Sequence, residues 1–203
     1  MVDRILDDVG QEPGSLPLLE FALTQLWAKQ KRGQLTHEAY SEIGGVAKAL
    51  ANHAEAVYAR LSREQQQQTQ QILLQLVRLG EGTEDTRRLA TRTDAGNWEL
   101  VTFLASAESR LLVTGRSEES GEETVEVVHE ALIREWKQLR TWVNENRDQL
   151  RRKRKIEASA EEWKLRDHST GYLLSERFLI DAKAFQKEQS ENLKLSSLVV
   201  SQR

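Results

Sequence analysis

The pattern that most constrains this chain is an apolar, strand-like run, Thr124-Val125-Glu126-Val127-Val128, that passes directly into an amphipathic helix through His129-Glu130-Ala131-Leu132. A partner run stands just upstream at residues 110–114. The Gly- and Ser-containing segment from Gly115 to Glu123 between them reads as a hairpin loop. Three helical stretches come first, starting near Ser62, near Arg87-Arg88-Leu89 (a turn of helix or a short extended piece) and near Asn97. Helix, helix, helix and then a β-hairpin is the order of a winged helix, a relative of the helix-turn-helix. His129, at the strand-helix junction, is placed near backbone N–H groups and the positive end of a helix dipole, where anions bind. A helix-capping or half-buried core histidine is the competing reading.

Helical periodicity governs the rest. The two prolines, Pro13 and Pro17, lie near the N-terminus, so the remaining chain is free to be helix-rich. A short helix over residues 1–10 precedes a turn at Gln11-Glu12-Pro13-Gly14. Ser15 then caps a helix whose first turn tolerates Pro17, with Leu19, Ala22, Leu23 and Leu26 as its buried stripe and Gly33 as its end. Thr36 caps a helix to Ile43, Gly44-Gly45 breaks the chain, and Val46, Leu50, Ala54, Val57 and Leu61 recur at helical spacing. Ser62 and Gln65 form a capping box that opens a new domain, with Ile72, Leu73, Leu76 and Val77 buried and Gln65 to Gln68 on a solvated face. Trp98, Val101, Leu104 and Ala105 are the buried side of the helix beginning near Asn97. From His129 onward the chain reads as helix, with Leu132, Trp136, Leu139 and Val143 as one stripe. A second helix spans roughly residues 148–166. After a turn at 167–171 a final one runs from Tyr172 to about Glu191, with Leu173, Leu174, Phe178, Leu179, Ala182 and Phe185 as its apolar positions.

Several chemistries are excluded. The 203 residues hold no Gly-x-x-x-x-Gly-Lys-Ser/Thr loop, no Gly-x-Ser-x-Gly elbow and no cysteine. The four histidines, His37, His53, His129 and His168, lack metal-site spacing. No catalytic residue and no metal site is expected. No apolar run approaches the roughly 18 residues of a membrane span, and the acidic start, Met1-Val2-Asp3, does not resemble a signal peptide. A cytoplasmic location with no membrane partner is expected.

Charge argues against DNA reading. A DNA-bound winged helix needs Lys and Arg on its recognition helix and wing. Here residues 97–108 carry two acids and no base, and residues 115–123 carry four acids and one base, in a chain of net charge −3. Both surfaces repel a phosphate backbone. The basic run Arg151-Arg152-Lys153-Arg154-Lys155 is the one nucleic-acid or anionic-membrane candidate; its simpler reading is a solvated helix face with i,i+4 ion pairs.

Four segments in order carry a resemblance: residues 14–23, beginning Gly14-Ser15-Leu16-Pro17-Leu18; Gly44-Gly45-Val46-Ala47-Lys48-Ala49-Leu50; residues 128–136, Val128 to Trp136; and Gly171-Tyr172-Leu173-Leu174. Together they resemble the C-terminal part of a novel STAND NTPase module, related to the NB-ARC and NACHT signalling ATPases and often followed by WD-repeat propellers. The resemblance implies that Pro17 lies against the adenine or ribose of a bound nucleotide and that His129 hydrogen-bonds the β-phosphate of ADP. Val128 and Glu130 stand where that family's motif has Met and Asp.

The expected architecture is therefore mainly α: a helical lid domain over residues 1–61, a winged helix with a small antiparallel hairpin over 62–147, and C-terminal linker helices over 148–203. The expected function is that of a regulatory lid of a STAND-type signal-transduction ATPase, sensing ADP or ATP and relaying that state downstream, without catalysis of its own. ADP or ATP with Mg is implied only where a P-loop domain is supplied in cis or trans, since the chain reads as a fragment, a split gene product or an excised segment. None is expected for the chain alone. A downstream sensor or effector and a homo-oligomer are the other expected partners, and no nucleic acid. The alternative is a nucleotide-independent interaction module using Trp136, Trp142, Trp163, Phe178 and Phe185 as exposed stripes; a winged-helix DNA-binding regulator stands third.

Overall fold

The computed structural model describes residues 1–9, 15–118, 120–167, 169 and 176–188. The turn at residues 11–14, most of the 167–171 turn, His168, the 171–174 resemblance, the side chain of Phe178 and residues 189–203 lie outside the described residues.

The architecture is mainly helical with two small antiparallel sheets. Helices α1 (Val2–Val9), α2 (Ser15–Ala28), α3 (His37–Ile43) and α4 (Gly45–Arg60) form the N-terminal layer. Local chemistry places the α3–α4 corner. The Thr36 hydroxyl accepts from the Ala39 N–H at 3.1 Å to start α3. Gly44 and Gly45, at φ +86° and +68°, turn the chain into α4. All five predicted apolar positions, Val46, Leu50, Ala54 and Val57 in α4 and Leu61 just after it, are buried.

α2 differs from expectation in three ways. Ser15 is its first helical residue rather than its cap. The buried stripe is Leu18, Phe21, Ala22 and Leu26, while Leu23 faces outward and Leu19 is half-buried. Apolar residues occupy most of the helix circumference, so periodicity alone does not select a face. The helix ends at Ala28; Arg32 and Gly33, both at positive φ, instead make a tight turn in which Lys31 and Gln34 exchange backbone hydrogen bonds of 3.0 Å.

Next come α5 (Arg63–Gln75), β1 (Val77–Arg78), β2 (Thr86–Arg87), β3 (Ala90–Thr91), α6 (Arg92–Ala95), α7 (Trp98–Ala105), β4 (Leu112–Arg116) and β5 (Glu123–Val127). The Ser62–Gln65 capping box is formed in both directions, at 3.2 and 3.0 Å. Asn97 caps α7 through its side-chain oxygen and the Leu100 N–H. The hairpin β4–β5 pairs Leu112 with Val127 and Arg116 with Glu123. Of the two readings near residues 87–89, the short extended piece is the one found, and the middle helix is α6, a few residues later. β3 adds a strand that periodicity could not reveal at two residues' length, pairing Ala90 with Val125, so β5 is central in the order β3-β5-β4.

The last elements are α8 (Ala131–Glu135), α9 (Lys137–Glu145), α10 (Arg147–Leu165) and α11 (Glu176–Glu188). Leu132, Trp136, Leu139 and Val143 are all buried, as their spacing predicts. They do not share one helix: Trp136 is extended (φ −78°, ψ 105°) and separates α8 from α9. Its indole N–H donates to Glu55 of α4 at 2.7 Å, and its ring meets Tyr58 and Trp142 edge-on at 5.8 and 5.6 Å. Trp136, Trp142 and Phe185 are thus interior and Trp163 is half-buried, which removes the exposed aromatic stripe expected for an interaction module. Apolar side chains from α1 through α11 belong to one buried cluster. No helix among the described residues is long and apolar enough to cross a membrane.

Candidate functional site

The three motifs legible along the chain meet at one cleft. Ser15 and Leu18 from the start of α2, Val46 and Ala47 from the start of α4, and Ala131 and Arg134 from α8 line a cavity of about 350 Å³, closed at its edge by Asp8, Glu84 and Glu135. These residues come from segments separated by most of the chain. Their convergence follows from α4 serving as the common support, with α2 on one flank and α8 on the other, the latter held by the Trp136–Glu55 bond.

The diglycine explains how α4 comes so close. A Cβ on Gly45 would stand 2.7 Å from the Asp8 carboxylate, and one on Gly44 would stand 2.6 Å from the Asn52 amide. Positive φ at both positions is strained for any L side chain. Around this corner the Tyr40 hydroxyl donates to Asp8 Oδ2 at 2.6 Å, and the Asn52 amide donates to the Ile43 carbonyl at 3.0 Å. Burial, with the adjacent Asp8 acceptor and its charge, pushes the Tyr40 phenol up to about 12. Tyr40 is therefore a fixed hydrogen-bond donor across the physiological range.

His129 is half-buried at the end of β5. The Val128 N–H donates to the Leu111 carbonyl at 3.0 Å, carrying the hairpin ladder one step past β5. The chain then turns, and the Ala131 N–H donates to His129 Nδ1 at 3.1 Å while the Leu132 N–H donates to the His129 carbonyl at 3.0 Å. Nδ1 thus acts as an acceptor at the start of α8, so the neutral ring carries its proton on Nε2. Glu130 accepts from the Arg87 backbone N–H at 3.4 Å, tying the junction to β2. The helix-capping role weighed for His129 is part of its geometry.

Pro17 occupies the third position of α2 and is exposed; neither Pro17 nor His129 itself lines the cleft, whose nearest lining residues are Leu18, next to Pro17, and Ala131, two residues after His129. A helix-start role accounts for Pro17 locally, because an N–H in the first turn has no intrahelical partner. Arg134, Asp8, Glu84 and Glu135 escaped sequence reasoning. Arg134 and Glu135 had a signal: they lie three and four residues beyond Ala131 in α8 and so share its face.

A family model described as novel STAND NTPase 1 matches residues 1–171. The chain belongs to that family. Searches of curated proteins and of solved structures returned no match. The matched span of this novel STAND NTPase chain contains every segment that lines the cleft.

The lining's charge decides what chemistry the cleft suits. Three carboxylates face one guanidinium, and Arg134 is already paired with Glu84 at 3.4 Å. An isolated phosphate would be repelled there. Groups that donate hydrogen bonds, such as ribose hydroxyls or an exocyclic amine, match a carboxylate-rich rim with an apolar floor of Leu18, Val46 and Ala131.

Proposed function

We propose that this chain is the regulatory, winged-helix-containing portion of a STAND-type signalling NTPase module, and that it reads the nucleotide held by a P-loop domain supplied in cis or trans. The observation that carries the proposal is the meeting of the 15–18, 45–47 and 131–135 segments at one cleft. The helices α5, α6 and α7 followed by the β4–β5 hairpin, with β3 paired to β5 from just before α6, support the winged-helix reading. In this account the cleft takes the nucleoside end, where carboxylates meet hydroxyl and amine donors, and Pro17 borders it on α2. His129, at the start of α8, is assigned to the β-phosphate of ADP. The P-loop domain supplies the remaining phosphate contacts and Mg, for which these residues provide no cations beyond Arg134.

Nucleotide state would then bias how α8 and α9 pack on α4, and the long helices after Trp136 would carry that change to a downstream sensor or effector. The kinship to NB-ARC and NACHT ATPases and the adjacency to WD-repeat propellers belong to this same reading, as does a cytoplasmic setting. The test is ADP retention by the module that includes the P-loop domain. His129→Ala should release bound ADP about ten- to a hundredfold faster, the loss of a charge-assisted hydrogen bond; unchanged release refutes the assigned role.

A second reading, a nucleotide-independent interaction module, now rests on different residues. Leu16, Leu23 and Trp27 share one face of α2 and are 74%, 39% and 63% exposed. Light scattering of the chain with Trp27→Glu separates it from the first: self-association that this change abolishes favours the module, and a monomer indifferent to it does not.

A further inference from the structure

The basic run in α10 is only in part the solvated, ion-paired face its sequence suggests: Arg151 and Lys155 are exposed and Lys153 pairs with Glu157 at i,i+4, but the middle of the run is buried or half-buried. Lys153 is only 3% exposed and bonds Gln75 and, at 3.5 Å, Glu157. Arg152 stacks over Phe185, 5.5 Å from the ring centroid. Arg154 reaches across to donate to the Leu79 carbonyl at 3.1 Å. The Arg154 contact holds α10 against the β1–β2 hairpin, as does the Arg147–Asp85 ion pair at 2.7 Å at its start, while Lys153 and Arg152 tie it to α5 and α11.

Between α10 and that hairpin lies a second cavity, of about 730 Å³, which shares no lining residue with the cleft at α8. Its walls bring together five cations: Arg78 and Arg88 from the hairpin side, Arg151, Arg154 and Lys155 from α10. Three acids also line it, Glu81, Glu157 and Glu161. Glu157 is already engaged by Lys153 and, at 3.6 Å, by Arg88. Among the described residues neither Arg78 nor Lys155 has an ion pair, and the buried Nη2 of Arg154 has no hydrogen-bond partner. Burial and the facing charges of Arg78 and Arg88 push the Arg154 guanidinium down from its usual value. Like charges thus confront each other across a junction between two elements, with an orphaned donor between them. Gly80 shapes the wall: any Cβ there would sit 2.1 Å from the Thr83 carbonyl, so only a residue without a side chain lets the hairpin turn fold back this tightly.

We propose that this junction is an anion site for a small polyphosphate-bearing ligand that clamps α10 to the β1–β2 hairpin. Multiple phosphate oxygens match guanidinium forks on two opposing walls, and the volume lies in the range of small-molecule sites. The three lining acids and the chain's net negative charge disfavour a long phosphodiester track. The site is independent of the nucleotide reading of the α8 cleft.

The test titrates the full 203-residue chain with inorganic triphosphate at constant ionic strength, by calorimetry, with amide exchange followed over α10. The expected result is saturable binding at one site, slower exchange over the first turns of α10, and about a tenfold loss of affinity in Arg78→Gln/Lys155→Gln. Those two side chains are exposed and hold no ion pair among the described residues, so the fold does not depend on them. His129→Ala should leave this binding unchanged. Absence of saturable binding, equal affinity in the double variant, or a loss caused by His129→Ala overturns the proposal. Tighter binding of a DNA duplex through the same two residues also overturns it, in favour of nucleic acid.

Discussion

At the scale of single residues, the corner between α3 and α4 is the most exacting position in the chain. Gly45 meets two separate demands, a positive φ and the close approach of Asp8. Gly33 has only the first, with nothing within 4 Å of a built Cβ. Gly33→Ala should therefore cost about 1 kcal/mol and Gly45→Ala about 2–3 kcal/mol, a difference that thermal melts resolve as several degrees. Tyr40 adds a pH signature. Its phenol titrates near 10 in the unfolded chain and at about 12 in the folded one. The stability it contributes is whole below pH 10 and is lost as pH rises toward 12. Denaturant titrations at pH 8 to 12 should show wild type losing stability faster over that window than Tyr40→Phe. Caps at this scale were legible in sequence at Thr36 and at Ser62 with Gln65, because each depends on a partner three residues away, though Ser15 proved a helical residue instead. His129 was legible as a junction residue, but the direction of its Nδ1 bond depends on how β5 ends against Leu111, which no local pattern encodes.

At the scale of elements, continuity and facing were the quantities that sequence concealed. Residues 131–145 keep one apolar period while the backbone breaks at Trp136, because the indole must reach Glu55 and stack between Tyr58 and Trp142. A break enforced by tertiary contact leaves no glycine or proline to announce it. Trp136→Ala should cost about 3–5 kcal/mol, and Trp136→Phe should recover most of that while losing the Glu55 bond; chemical denaturation of both variants measures the split. The buried face of α2 was misassigned by one residue for a different reason, since apolar side chains surround that helix. The i,i+4 pairing of Lys153 with Glu157 was legible in the basic run of α10, but the burial of both was not, because it depends on Gln75 of α5, which only packing brings there. That network makes an asymmetric prediction. Glu157→Gln strands Lys153 and Arg88 without their carboxylate and should cost about 3 kcal/mol, whereas Lys153→Met should change stability by about 1 kcal/mol or less. Equal effects in equilibrium unfolding would show that the carboxylate is not the element holding α10 in place.

At the scale of the whole molecule, the chain is organised around α4, which meets α1, α2 and α3 on one side and receives α8 on another. Class and helix content were readable from periodicity and from the placement of both prolines near the N-terminus. The order of elements through the hairpin was readable as well, apart from the two-residue strand β3. The cleft was not, because it depends on α2, α4 and α8 sharing one support, and its acidic rim comes from Asp8 and Glu84, which carry no pattern. The central claim is that this convergence places His129 to report on a nucleotide's β-phosphate. Nitrogen NMR of isotope-labelled histidine, on the chain combined with its P-loop domain, tests this most directly. The account predicts an Nε2-protonated ring before nucleotide is added, and an Nε2 resonance that shifts with ADP but far less with AMP. An Nε2 resonance unmoved at saturating ADP would contradict it.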